Sequence, residues 1–217
     1  MARTVLFPLL AALLLAGTAA GLEATLNPRL IQEALNIGQS RIESVRTRFH
    51  QPYRLQIGRP PFDYVDVVTP FRRVVLTTEE RTNLGMRGFT SAEAAAALGS
   101  AAGVVETRVE MTFHPQNVFI GVPGYDVALV APSTAARVMP QSVERIPRFG
   151  PRIDGQALPP PAGGPPNLPG GGQPLTGGTL VATFAIGTLD AATAYDVVVS
   201  EMGKELARAR VNFAGLR

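Results

Sequence analysis

The 217-residue sequence predicts an α+β protein that is mainly β: an antiparallel β-sandwich with one N-terminal amphipathic helix and one short inserted helix. Two patterns lead to this prediction. Several short segments, separated by proline and glycine, alternate apolar with polar residues, which is typical of strands with one buried face. Two other segments have helical signatures, one in its apolar spacing and one in its capping residues.

The first predicted helix covers about five turns and begins at Asn27-Pro28. Asparagine caps helices well, and proline suits the first helical position. The spacing that follows gives one apolar face, which we expect to dock on the protein's own sheet. Gly38 on that face allows either a kink or close packing. The apolar residues that recur at steps of three or four are Leu30, Ala34, Gly38, Ile42, Val45 and Phe49.

Three strands are predicted after this helix, because each segment is rich in β-branched or aromatic residues and prolines separate the segments. They are residues 53–57, 64–68 and 73–77. The short inserted helix then covers residues 92–98. Thr90 lies three residues before Glu93, and this spacing allows the reciprocal capping box that starts many helices.

The second half of the chain is predicted to be rich in β-strands. Its clearest strand is 105–113, where apolar and charged residues alternate as expected for one buried and one solvated face. Met202-Gly203 indicates a tight hairpin turn between the last two strands. The other predicted strands are 118–121, 125–130, 180–186, 195–199 and 205–213.

Residues 147–178 differ in composition from the rest of the chain, because they contain nine prolines and nine glycines. Such a segment has no core of its own, and we predict a disordered loop. The 39 residues that follow it are too few for a stable domain. The last strands must therefore pair with earlier ones. The sequence predicts a single β-rich domain over 22–217, with the loop inserted in it.

Residues 1–21 have the three-part layout of a secretory signal peptide. Arg3 precedes the apolar run 5–15, and the small-residue stretch 16–21 follows it. We predict cleavage after Ala20 or Gly21 and a periplasmic or secreted location outside the cytoplasm. The alternative is an uncleaved membrane anchor, because the uncharged stretch approaches the roughly 20 residues that cross a bilayer.

The chain contains no cysteine, which excludes disulfides, thiol catalysis and thiolate zinc sites. Of its 20 basic residues, 19 are arginine, and the net charge is +3. Arginine binds phosphate and carboxylate bidentately, so an anionic partner is one explanation; the codon usage of a GC-rich genome is the other. No dense basic run is present, and we therefore expect no nucleic-acid partner.

A further pattern lies near the C-terminus, where an acidic turn at Asp190 leads to Tyr195 at the head of the valine-rich stretch 197–199. This pattern resembles the tyrosine corner of immunoglobulin-like and fibronectin-III-like sandwiches. The resemblance covers at most residues 104–217. It implies a fold in which Tyr195 hydrogen-bonds back to the turn, and it implies no activity.

Only His50 and His114 are available for histidine chemistry. They could meet in space and bind a metal, or act as catalysts, together with aspartates. Neither has a second ligand at the local spacing typical of zinc sites, so ordinary loop positions are the alternative. The Arg72-Arg73 pair is a candidate site for docking an anion or a partner. On the predicted strand its two side chains point to opposite faces, so at most one faces a pocket.

The sequence contains no nucleophile, zinc-protease or nucleotide-binding motif, and we expect no cofactor. The leading hypothesis is an exported, non-catalytic binding or structural module whose partner is an envelope protein or a surface polymer. One alternative is an extracytoplasmic hydrolase with a dispersed site that uses His50 or His114. The other is a membrane-tethered assembly factor held by an uncleaved N-terminus.

Overall fold

Nine strands in two antiparallel sheets and four α-helices make up the part of the chain that the computed structural model describes, residues 22–86, 88–150 and 173–217. The predicted class, α+β and mainly β, is confirmed. The predicted signal peptide at 1–21 lies outside the described residues. No helix in the described part is both long and apolar enough to span a bilayer.

Pairs of helices and pairs of strands alternate along the first half of the chain, and strands make up most of the second half. The helices are α1 (Pro28–Gly38), α2 (Glu43–His50), α3 (Pro70–Asn83) and α4 (Ser91–Leu98). The strands are β1 (Arg54–Arg59), β2 (Phe62–Val68), β3 (Val104–Thr112), β4 (Asp126–Val130), β5 (Arg137–Val138), β6 (Ser142–Phe149), β7 (Leu175–Ala185), β8 (Ala194–Glu201) and β9 (Lys204–Asn212). One sheet has the order β1-β2-β3-β7-β6 and the other the order β5-β4-β8-β9.

Both sheets contribute side chains to one apolar core. In β3, Val105, Thr107 and Val109 are buried while the charged Glu106 and Arg108 between them are not, as the alternation predicts. Val197 and Val199 of β8 enter the same core from the other sheet. A second apolar cluster joins α1, α3 and α4, so the helices pack mainly on one another.

The predicted N-terminal helix is correct in its start and wrong in its length. The Leu30 amide donates to the Asn27 side chain at 3.0 Å, so the predicted cap is present. The helix ends at Gly38, however, and a separate helix, α2, begins at Glu43. The apolar stripe beyond Gly38 does not form one buried face, because Ile42 is 62% exposed.

The predicted strand at 73–77 is wrong, because these residues lie inside α3. The hydroxyl oxygen of Thr69 accepts a hydrogen bond from the Arg72 amide at 3.2 Å, and Pro70 occupies the first turn. This start signal outweighs the β-propensity of Val74 and Val75, both of which are buried in the helical cluster.

The other predicted elements before residue 146 divide into confirmed and missed ones. The capping box of α4 is confirmed, since Thr90 and Glu93 satisfy each other's backbone amides. The predicted strands at 53–57, 64–68, 105–113 and 125–130 correspond to β1, β2, β3 and β4. The predicted strand at 118–121 is wrong, because those residues lie in the connection between β3 and β4. Strands β5 and β6 were not predicted.

The strands that follow the proline- and glycine-rich segment pair with earlier ones, as the length argument predicts. β7 lies between β3 and β6, and β8 pairs with β4. The predicted loop 147–178 is wrong at both ends, since 147–149 belong to β6 and 175–178 to β7. Glycine is needed at position 178 because the backbone of β6 lies too close for a side chain: a Cβ there would lie 2.8 Å from the Ile146 carbonyl oxygen. Residues 151–172 lie outside the described part.

The last two strands form the predicted hairpin, with its turn at Met202-Gly203. At the start of β8 the Asp190 amide donates to the hydroxyl oxygen of Tyr195 at 3.0 Å. The hydrogen bond between Tyr195 and the preceding turn is therefore present, as the tyrosine-corner pattern implies.

Candidate functional site

A polar cleft of about 820 Å³ lies where α2, α3 and the β1–β2 hairpin meet. One face of α3 forms much of its floor. The four α3 residues that line the cleft recur at steps of four, three and four positions, which places them on one helical face. These residues are Arg72, Leu76, Glu79 and Asn83.

Arg72 is the most enclosed charged residue of this floor, with 2% of its surface exposed. Its Nη2 lies 2.9 Å from Asp66 Oδ1 on β2, and its Nη1 donates to the Val67 carbonyl at 2.5 Å. The guanidinium also lies 4.8 Å from the centre of the Tyr53 ring. Burial lowers the pKa of Arg72 from its ordinary value, and the charge of Asp66 opposes that shift. The positive charge is thus compensated inside the protein.

His50 lies beside Arg72 at the end of α2 and uses both ring nitrogens. The Arg72 Nε–H donates to Nδ1 at 3.3 Å, and Nε2 lies 3.0 Å from both carboxylate oxygens of Glu79. Because arginine Nε always carries hydrogen, Nδ1 must be the unprotonated nitrogen. Nε2 therefore carries the hydrogen and donates a hydrogen bond to the Glu79 carboxylate. Four side chains form a continuous chain across the floor, Glu79–His50–Arg72–Asp66.

The wall of the cleft is more basic and more open than its floor. Residues 41–54, which include α2 and the start of β1, contain four arginines and one acidic residue, Glu43. Arg46 and Arg54 line the cleft. The Arg54 side chain is 51% exposed; its Nε lies 3.7 Å from Asp66 Oδ1, and its guanidinium lies 4.4 Å from the centre of the Tyr64 ring. The wall thus presents the Arg54 guanidinium to solvent at a position fixed by these two contacts, with Arg46 beside it in the lining.

The predicted site residues divide into two that meet and two that lie elsewhere. His50 and Arg72 are in direct contact in the cleft. His114 is exposed in the β3–β4 connection, where its Nδ1 accepts from the Gln116 amide at 3.2 Å. Arg73 points away from the cleft and pairs with Glu106 of β3. The two histidines therefore do not converge, and the arginine pair separates.

Sequence reasoning missed Glu79, because the segment around it was not recognised as a helix. Thr69-Pro70 is the signal that identifies it: once a helix begins there, the seven-residue spacing from Arg72 to Glu79 places both on one face. Among residues 22–86, 88–150 and 173–217, no group of three or more histidine, aspartate or glutamate side chains has an arrangement that could hold a metal ion.

No protein-family model, no curated protein and no solved structure matches this chain.

Proposed function

We propose that this protein is an exported, non-catalytic binding module, built on an antiparallel β-sandwich, that binds an anionic surface polymer in the cleft. The observation that carries the proposal is the contrast between the floor and the wall. The floor charges pair with one another, whereas the wall offers arginines to a ligand. Two sheets that share one core support the sandwich frame, and the layout of residues 1–21 supports export.

The state of His50 favours binding over base catalysis. A general base needs a free nitrogen within hydrogen-bond distance of the proton that it removes. Both ring nitrogens of His50 are already used, one by Arg72 and one by Glu79. Such a chain makes the floor rigid, which suits a binding surface because less side-chain freedom is lost when the ligand binds.

The chemistry of the lining favours a ligand with both hydroxyl and carboxylate groups. Arginine forms two parallel hydrogen bonds with a carboxylate, and Arg46 and Arg54 lie on the cleft wall. Amide and hydroxyl side chains, which can both donate and accept, complete the lining. They are Gln51, Gln56, Asn83 and Thr47. An acidic polysaccharide carries the matching groups in a repeating array.

The test is a titration of the protein with an acidic oligosaccharide, oligogalacturonate, by calorimetry at pH 7.5, with neutral dextran oligomers as the comparison ligand. Replacing Arg46 and Arg54 together with alanine is expected to raise the Kd at least about tenfold, because charge-assisted hydrogen bonds are lost. Arg48→Ala is the matched control, since Arg48 lies on the same helix, is exposed and does not line the cleft.

Three results would overturn the proposal. The first is no binding of oligogalacturonate, and the second is equal binding of dextran. The third is a loss of affinity in the Arg48 control as large as that in the cleft variant, which would indicate diffuse surface charge rather than a site.

A further inference from the structure

Helix α2 forms one wall of the cleft but has few anchors of its own. None of its eight residues is buried, and its N-terminus has no side-chain cap. Its last two residues connect it to the rest of the protein. The Phe49 ring packs 5.2 Å from the Tyr53 ring and 5.9 Å from the Phe71 ring. His50 makes the hydrogen bonds to α3. The position of this wall therefore depends on the packing of Phe49 and on the hydrogen bonds of His50, and only the second of these can change with pH.

The hydrogen bond between Arg72 and His50 exists only while the imidazole is neutral. A proton on Nδ1 would face the Nε–H of Arg72, so that two donors meet and the bond is lost. The Nε2–H bond to Glu79 is already present in the neutral state, so protonation makes this bond charge-assisted but adds no second hydrogen bond that could replace the one lost at Nδ1. Imidazole is the side chain that gains a proton between pH 8 and pH 5.

The charges around His50 come from every element that packs against it. Glu79 and Arg72, both on α3, contact the ring and carry opposite charges. The other charged groups that line the cleft are Glu43 and Arg46 on α2, Arg54 on β1 and Asp66 on β2. These six groups have three charges of each sign, so an added proton leaves an excess positive charge beside the buried Arg72.

We infer that His50 is a proton-sensitive latch: neutral His50 holds α2 against α3, and protonated His50 releases α2 and opens the wall of the cleft. Release of the polymer upon acidification then follows, and this last step rests on the proposed function. The movement of α2 does not rest on it, because it is measured without a ligand.

The first test is hydrogen exchange of the full chain at pH 8 and pH 5, expressed as protection factors that are corrected for intrinsic exchange. Protection in α2 is expected to fall about tenfold at pH 5, as the loss of one hydrogen bond to a charged group implies, while α3 stays protected. The pH dependence is expected to vanish in His50→Gln and to persist in His114→Gln, which changes the only other histidine.

The second test needs no variant. Nitrogen chemical shifts of the His50 ring at pH 8 are expected to show Nδ1 unprotonated and Nε2 protonated. A proton on Nδ1 at pH 8 would overturn the latch, as would α2 protection that is equal at both pH values or that falls equally in His50→Gln. Binding of oligogalacturonate at pH 7.5 tests the proposed function separately, so the two failures are distinguishable.

Discussion

Gly38 is the position where one added methyl group tests the packing of the helices most directly. It is the last residue of α1 and is buried against α3. An alanine Cβ there would lie 2.6 Å from Thr78 Cβ and 2.7 Å from the Val75 carbonyl oxygen. Neither atom is the end of a flexible side chain, so α1 or α3 must move to admit the methyl group.

Two opposing effects determine the size of the change in stability. Alanine favours a helix over glycine by up to about 1 kcal/mol, and by less at a helix end. Overpacking of a well-packed site costs about 1–3 kcal/mol. We therefore expect Gly38→Ala to lower the free energy of unfolding by about 1–2 kcal/mol, which corresponds to a fall in Tm of roughly 4 °C for a protein of this size.

Chemical denaturation and thermal melts measure this change, with Gly187→Ala as the control. At Gly187 an added methyl group would have no atom within 4 Å, and the backbone there is not strained. Its replacement should therefore change stability by less than about 0.5 kcal/mol. A Gly38→Ala protein as stable as the wild type would refute the close packing of α1 on α3. A destabilised protein that also binds oligogalacturonate more weakly would show that the strain reaches the cleft through α3.

Three further predictions concern buried charge, helix capping and acid stability. Arg72→Met leaves Asp66 without its buried partner and should destabilise the protein by about 3 kcal/mol in denaturant titrations. Thr90→Ala removes the α4 cap and should cost about 1 kcal/mol. Hydrogen bonding from Arg210 lowers the pKa of Asp196 below its ordinary value. Its stabilising effect is therefore complete above about pH 4 and is lost as the pH falls through the folded-state pKa, so Asp196→Asn should flatten the acid-unfolding curve.

Each of these predictions has a matched comparison. Arg48→Met, on the exposed side of α2, should leave stability unchanged, and an equal loss there would contradict the argument from burial. Thr90→Ser keeps the hydroxyl and should retain most of the stability of the wild type. If Thr90→Ser were destabilised as much as Thr90→Ala, the lost cap would not explain the loss of stability. If Asp196→Asn lost stability in acid as steeply as the wild type, other carboxylates would be responsible for the acid sensitivity.

Sequence patterns predicted elements well where local and long-range forces agree. β3 alternates strictly and lies between β2 and β7, so its periodicity matches its burial. The predictions were wrong where the two disagree. Val74 and Val75 favour a strand by propensity, yet packing against α1 and the cap at Thr69 make the segment helical. The cleft could not be predicted for the same reason, because Arg72 and Glu79 share a face only once α3 is a helix.

The chain leaves the sheet at the end of β6 and re-enters it at the start of β7, and these two points are adjacent. Phe149 at the end of β6 pairs with Leu175 at the start of β7, and the Gly150 amide donates to the Pro174 carbonyl at 3.3 Å. Because strand pairing holds the two ends together and the entropic cost of closing a loop changes slowly with its length, the pairing of β6 with β7 should tolerate a connection of different length. Residues 151–172 are thus a natural place to graft a reporter domain whose own termini are adjacent, or to substitute a short turn, without redirecting either strand.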